Sequence, residues 1–491
     1  WPHHLTIARL VARALRLNRN AVLEISAVAE HQGRYRLSYL AALLLAPQPA
    51  ILVASPAVQS QLLLSDIPCF RDWTRASKPI YQSTEWPGEY TSGLLLLTPE
   101  EWLTDIWSSA PHYPQDWPII VDQASHIESW ARDALKVSIG AQDWDQLMWA
   151  YPQLSDRIRD IRAALTQKIF QHPSNPYNAV QLDESKKLLL LSLQTELGFH
   201  APQQSPTHWQ RFWAGLKTKD DHSWIDLDRE TGQFQVVTAP THLLRKLSQL
   251  FESRATVMMG SSFGLEPEAY KFRQALKLEE ATYVHFAADR NTEAIQIYLP
   301  DRIPMPNTKE FQGVLLDRLK TLIFQQSLDQ GDEPSGPWVI IVDDTPLKAQ
   351  VASQLASVLG SRVIVESTEL PQRGILISGW SFWLQQHGNV PSPQALLIAT
   401  LPIPSPENPK VAARIDQYKR QRLDWFRLYL LPTTVQTLQK AIAPIRNQDT
   451  FVTIYDNRLL HRSYGSQILN ALSPYARVEN PDFLENGKLR R

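Results

Sequence analysis

The sequence predicts an α/β protein built on two parallel sheets in tandem, the first interrupted by a helical insertion. Three observations predict it. Short apolar runs of strand length alternate with helical stretches over 21–135. The same alternation returns over 338–455, and between the two blocks, over 136–222, long amphipathic stretches replace the strand pattern. Apolar runs of four or five residues separated by helices read as strands covered on both faces, which is how a parallel sheet is buried.

The elements follow in order. Residues 5–17 (LTIARLVARALRL) set apolar positions at helical spacing, with Arg9, Arg13 and Arg16 on another face. A strand at 21–25 (AVLEI) comes next, then a polar stretch over 29–34 that leads into a helix at 37–45. AILVAS at 50–55 is a second strand, with a helix over 59–64; 93–97 (GLLLL) and 118–122 (PIIVD) are further strands, each with a helix after it. In the insertion, 156–170 and 183–197 read as amphipathic helices. The segment 224–237 (WIDLDRETGQFQVV) alternates as a β-hairpin does, with Glu230-Thr231-Gly232 as its turn. A helix over 241–251 precedes a strand at 255–259 (ATVMM) that should return to the first sheet. After a Gly/Pro linker at 331–337, strands are expected at 338–342, 362–365, 374–378, 395–400 and 451–455, with helices at 347–359, 410–429 and 433–441. The expected domains are 1–135 with 223–265, an insertion at 136–222, and 266–491.

Composition narrows the function classes. With 491 residues, 43% hydrophobic and 20% charged, the chain can bury several cores. No apolar run reaches the ~18 residues of a membrane span, and Trp1-Pro2-His3-His4 lacks the basic-then-apolar form of a signal peptide. The expectation is a soluble cytoplasmic or nucleoid-associated protein with no membrane partner. Cys69 is the single cysteine, which excludes an intrachain disulfide, a cysteine zinc site and an iron–sulfur cluster. The histidines show no metal-ligand spacing, so no metal site is assigned. A net charge of -1 argues against global attraction to nucleic acid and leaves room for a local basic groove. Glycine, at 18 residues, is about half as frequent as the usual ~7%, which weighs against glycine-rich phosphate loops.

Several adjacent features, in chain order, resemble the DinG/XPD family of superfamily 2 DNA helicases. Ser381-Phe382-Trp383 follows a strand; Leu401-Pro402-Ile403-Pro404 and Pro406-Glu407-Asn408-Pro409 are similar to the family's L-P-F-x-x-P-x-D-P; Asp456-Asn457-Arg458 and Tyr464-Gly465 to its D-x-R…Y-G. Upstream, 50–68 resembles a segment that touches a DNA strand, 118–128 (PIIVDQASHIE) has the frame of the DEAH box, and 255–263 (ATVMMGSSF) that of S-A-T. The resemblance implies two RecA-like, P-loop NTPase-type domains and an insertion in the place of the family's Arch domain.

It also implies ATP and Mg²⁺ as cofactors, and here the chain departs from the pattern. The phosphate loop G-x-x-x-x-G-K-[ST] falls on Ala27-Val28-Ala29-Glu30-His31-Gln32-Gly33-Arg34-Tyr35-Arg36, with Gly33 and Arg34 the remaining nucleotide-binding candidates and no lysine. In the DEAH frame Asp122 stays, but Gln123 replaces the glutamate that positions the attacking water. In Q-G-x-G-R-x-I-R both glycines are gone, Ala443 stands for the first arginine and Arg446 is kept. Asp122, Gln123, Ala443 and Arg446 are therefore degenerate catalytic positions, and no catalytic residue is assigned. Where the family has E-G-V-D, this chain has Leu384-Gln385-Gln386-His387.

For nucleic acid, Ser55 and Gln61 lie in the strand-contacting segment, and 410–427 is the most basic stretch, with Arg414, Lys419, Arg420 and Arg422 as candidates. Trp144, Trp149, Trp209 and Trp213 in the insertion offer either stacking platforms or helix packing. The resulting expectation is a pseudo-helicase with decayed ATPase motifs that binds single-stranded DNA or another nucleic acid, or scaffolds a protein complex. The alternatives are a divergent active helicase using Arg34 and Asp122, and a protein-interaction module that binds neither DNA nor ATP.

Overall fold

The computed structural model describes residues 1–479 apart from 87–91, 109, 200–204, 219–220, 242, 244–246, 252–253, 330–336, 447 and 449. Residues 331–336 of the expected linker, and 242 and 244–246 of the helix expected over 241–251, fall outside the described residues; within that helix range Ser248–Phe251 forms a 3-10 turn.

Seven parallel strands form the first sheet, in the order Thr282–Phe286, Ala21–Ile25, Thr256–Gly260, Ile119–Val121, Ala50–Val53, Leu94–Leu97 and Ile80–Gln82. The apolar runs become central strands because both their faces are covered. Leu23, Leu52 and Met259 face one core with the helices His4–Arg16 and Arg36–Leu45, while Val22, Val53 and Met258 face another with Pro99–Ile106 and Ile127–Leu135. A second parallel sheet of seven runs Val363–Val365, Ile375–Ser378, Trp338–Ile341, Ala395–Ile398, Phe451–Ile454, Ile295–Tyr298 and Tyr475–Val478. The two-sheet α/β fold class is thus as the sequence predicts.

The boundaries differ. Thr282–Phe286, expected in the second unit, pairs with Ala21–Ile25 at the edge of the first sheet. Its exposed Thr282 and His285 interrupt the apolar run that would have marked it. The crossing between sheets is therefore the short segment 287–294, ahead of Ile295–Tyr298. The insertion, expected to be helical and to end at 222, holds an antiparallel sheet of Val137–Ile139, Gln233–Pro240, Asp221–Asp228 and Ala179–Gln181. The hairpin expected to belong with the first sheet lies here, its turn closed by Gly232 at φ +68°. Alternation turns Ile225, Leu227, Phe234 and Val236 toward the insertion's helices, so the hairpin's core is local. Trp144, Trp209 and Trp213 pack in that core, with ring centroids 5.0 Å apart for Trp144–Trp209 and Trp209–Trp213; only Trp149 of the four is exposed. The helix Pro409–Arg420 from the second unit covers the strands Asp221–Asp228 and Ala179–Gln181. Among the described residues no helix is long and apolar enough to cross a membrane.

Candidate functional site

The stretch matching the family's phosphate loop is a helix. Ser26 is its N-cap, accepting from the Ala29 N–H at 3.2 Å, and Ala27–His31 forms one turn and more. Alanine and glutamate favour helix where glycine would favour an open loop, and Ser26 satisfies one of the free N–H groups. The chain then turns through Gly33 at φ +64° and enters Arg36–Leu45.

Arg34, in the place of the lysine, has a counter-ion within the chain. Its guanidinium donates to Glu293 Oε1 at 2.9 Å, and the Ser26 hydroxyl donates to Glu293 Oε2 at 3.3 Å. Glu293 is buried in the crossing segment between the two sheets. Arg446 holds the same residue from the other side: its Nη1 donates to the Glu293 carbonyl at 2.6 Å and to the Pro474 carbonyl at 3.0 Å, and its Nη2 to the Leu472 carbonyl at 2.5 Å. Two arginines from different sheets therefore converge on one connector glutamate.

Asp122 is fully buried. Tyr35 donates its hydroxyl to Oδ1 and Tyr39 to Oδ2 at 3.2 Å, the Gln123 N–H donates to Oδ1 at 2.9 Å, and Arg36 Nε lies 3.7 Å from Oδ2. Burial pushes the Asp122 carboxyl up, against Arg36 and the tyrosine hydroxyls. In a P-loop enzyme a hydroxyl and this aspartate approach one another through Mg²⁺; here the Tyr35 hydroxyl touches the carboxylate directly. With both oxygens occupied and a helix in place of the loop, these residues do not fit ATP–Mg²⁺, and no catalytic step is derived through it. Gln123 adopts a left-handed conformation at φ 53°. Among the described residues no cluster of His, Cys, Asp and Glu could hold a metal ion.

The two units meet at this place. The helix Ala27–His31 packs against Leu431–Ile442 and Ala443–Ile445, with Ala443 buried in the contact. Glu30 accepts from the Ser261 N–H; burial pushes its carboxyl up to about 7, with the negative Asp122 adding and Lys440 opposing. Burial pushes the Lys440 ammonium down, against Glu30. His31 and His387 meet edge to face with centroids 5.1 Å apart, and Gln436 Nε2 donates to the Ser262 carbonyl at 3.1 Å. Beside this contact lies a cavity of about 460 Å³, lined from both units by Glu24, Ser26, His285, Arg290, Gln439 and Arg446 among others.

The nucleic-acid candidates separate. Ser55 caps Pro56–Gln61 without a side-chain hydrogen bond and is partly exposed, and Gln61 is exposed while its Oε1 accepts from Arg36 at 2.5 Å. Arg414 is spent inside: it donates to Glu128, which also accepts from Arg132 at 2.6 Å, and its guanidinium lies 3.9 Å from the Tyr429 ring centroid. Lys410 pairs with Asp226 of the insertion at 2.8 Å. Lys419, Arg420 and Arg422 are exposed near the helix end, Lys419 lying 4.0 Å from Asp416. The structure brings Arg34, Ala443 and Arg446 to the contact between the two units, holds Asp122 within the first unit against Tyr35, Tyr39, Gln123 and Arg36, with Gly33 beside Arg36, and leaves the basic group apart. Sequence reasoning did not single out Glu293, Tyr39, Ser261 or Lys440; Glu293 lies in no motif and 259 positions from Arg34.

The helicase-like letters near the C-terminus have structural work. Asp456, buried, accepts from the Leu401 N–H at 2.8 Å and from Arg458 Nε at 2.8 Å, joining the LPIP loop to the end of the neighbouring strand. Gly465 is required sterically: a Cβ there would lie 1.9 Å from the Leu459 carbonyl oxygen.

Comparisons with known proteins agree with this architecture. The family described as Helicase C-terminal domain matches residues 391–475. An ATP-dependent DNA helicase, YoaA of Escherichia coli K12, is 31% identical over 109 residues, 22% of this chain and 17% of the relative; the Haemophilus influenzae protein of that name is 29% identical over 119 residues, 23% and 19%. Both matches span less than a fifth of the relative's length. A solved structure titled XPD helicase aligns with a TM-score of 0.60 over 97% of this chain and 99% of that one at 11% identity. Xpd4 of S. tokodaii aligns at 0.57 over 97% and 100%, at 12% identity. Over 391–475 the chain is thus similar to a helicase C-terminal domain, and in fold it resembles the XPD helicase structures.

Proposed function

We propose that this chain is a pseudo-helicase: a DinG/XPD-like frame that does not hydrolyse ATP and serves as a nucleic-acid-binding scaffold. The observation that carries the reading is Glu293. An internal carboxylate accepts from Ser26 and Arg34, the groups best placed to receive a nucleotide's phosphate, so the anion position is filled by the chain itself. Because Glu293 sits in the crossing segment and Arg446 grips its carbonyl, the same contact ties the two units together. A motor needs its two domains to open and close around nucleotide; a buried internal clamp opposes that cycle.

Support for the nucleic-acid half comes from the exposed Lys419, Arg420 and Arg422 and from the DNA-helicase names of the matched relatives. Calorimetric titration of the chain with ATP–Mg²⁺ and, separately, with single-stranded DNA tests the reading. Binding of DNA with no heat from nucleotide is expected; nucleotide binding at physiological concentration refutes the filled-site argument, and absence of DNA binding at low salt refutes the nucleic-acid role.

A further inference from the structure

Residues 1–23 contain four arginines and no carboxylate; the first acid in the chain is Glu24 and the first lysine is Lys78. In the helix His4–Arg16, Ile7, Val11 and Ala14 face the core of the first unit. Arg9, Arg13 and Arg16, at i, i+4 and i+7, therefore share the opposite face, and Arg19 follows just beyond the helix; all four are exposed. None of the four side chains has an ion-pair or hydrogen-bond partner among the described residues. The basic stretch at 410–427 is different, since Lys410, Arg414, Lys419 and Arg427 each lie beside a carboxylate. Four positive charges without a carboxylate partner thus gather on this helix and just beyond it, in a chain whose net charge is -1.

We propose that Arg9, Arg13, Arg16 and Arg19 form a second nucleic-acid contact, on the outer helical layer of the first unit and away from the interface between the sheets. A face that serves solubility alone usually mixes lysine with acids, whereas this one is all arginine, whose planar fork matches phosphate oxygens in pairs. The i to i+7 span is about 10 Å along the helix, the length of about three phosphates on one strand of a duplex. Leu5, 70% exposed, and Leu17, 45% exposed, flank the stripe and offer apolar contact to sugars or bases. The proposal rests on the reading that the chain binds nucleic acid and adds where a strand runs.

The test uses the full chain, a labelled oligonucleotide in single-stranded and duplex form, and fluorescence anisotropy from about 50 to about 200 mM salt. The Arg9→Gln, Arg13→Gln, Arg16→Gln, Arg19→Gln variant changes only exposed positions and should keep the wild-type melting temperature. It should bind at least about tenfold more weakly at low salt, with the slope of log K against log salt reduced by about 3. A companion Lys419→Gln, Arg420→Gln, Arg422→Gln variant reports on the other basic group. If wild type binds no oligonucleotide, the reading under Proposed function and this inference both fall. If wild type binds and the four-arginine variant keeps its affinity and slope, this inference alone falls. Capture of anionic lipid vesicles by wild type, with no oligonucleotide bound, also overturns it.

Discussion

Arg34 and Glu293 meet at 2.9 Å across 259 residues of sequence, joining the turn between Ala27–His31 and Arg36–Leu45 to the segment that crosses from one sheet to the other. Glu293 is buried and Arg34 partly exposed, so the pair is screened on one side only. Removing the carboxylate leaves Arg34 able to hydrate; removing the arginine leaves a buried anion with a weak serine donor.

Arg34→Ala should therefore destabilise more than Glu293→Ala, each by about 1–3 kcal/mol, seen as a drop of a few degrees in melting temperature. The double variant should lose about 1 kcal/mol less than the sum of the singles. Additive losses would mean that the pair is not coupled. Hydrogen exchange over 287–294 should also quicken in Glu293→Ala if this residue clamps the crossing segment.

Asp122→Ala separates a structural from a catalytic aspartate. The substitution strands two buried tyrosine hydroxyls and Arg36, and should cost about 2–4 kcal/mol. Melting curves taken with and without Mg²⁺ check it: the loss should be the same in both. A wild-type protein stabilised by Mg²⁺ and a variant that is not would mark a metal ligand instead.

Stability should respond to pH in a manner set by Glu30, His126 and His222. Burial, the leading cause for all three, raises Glu30 to about 7 and lowers both histidines to about 3. Between about 4.5 and 7 the folded chain holds the Glu30 proton more tightly than the unfolded chain, so this residue's contribution is full at low pH and is lost as pH rises through 7. The histidines act oppositely: between about 3 and 6.5 the unfolded chain binds their protons, and stability is lost as pH falls through that window. Two histidines outweigh one glutamate where the windows overlap, so net stability should fall on acidification below about 6.5. Glu30→Gln isolates the opposing contribution. It should melt higher than wild type at about pH 8 and no higher at about pH 5; an equal shift at both pH values would contradict the assignment.

Gly465→Ala should destabilise by about 2–4 kcal/mol, because its Cβ would meet the rigid Leu459 carbonyl and not a movable side chain. Thermal denaturation measures this, and a neutral result would mean that the backbone around Tyr464 shifts freely.

Much of the fold could be read from the sequence because a central strand needs only size and pattern. AILV at 50–53, LLLL at 94–97 and WVII at 338–341 are all buried along their length. Edge strands carry no such mark: TYVHF at 282–286, exposed at two of five positions, lacks the continuous apolar run that marks a strand, and the expected domain boundary at 266 falls ahead of it. The hairpin at 221–240 was legible as a hairpin, but alternation does not say which helices will cover it. The candidate site was legible where family letters stood, at Arg34, Asp122 and Arg446. Their partners were not: Glu293, Tyr39 and Lys440 reach the site only through tertiary packing. The same limit applies to 410–427, where Lys410 and Arg414 are paired with Asp226 and Glu128, carboxylates far away in sequence.

The claim at the centre is that the nucleotide position is closed by the chain's own residues. Steady-state ATP hydrolysis by the purified chain, with and without single-stranded DNA and alongside Asp122→Ala, tests it most directly. The account predicts turnover at the level of a protein-free blank, unchanged by DNA and by the substitution. DNA-stimulated hydrolysis that Asp122→Ala abolishes would contradict it.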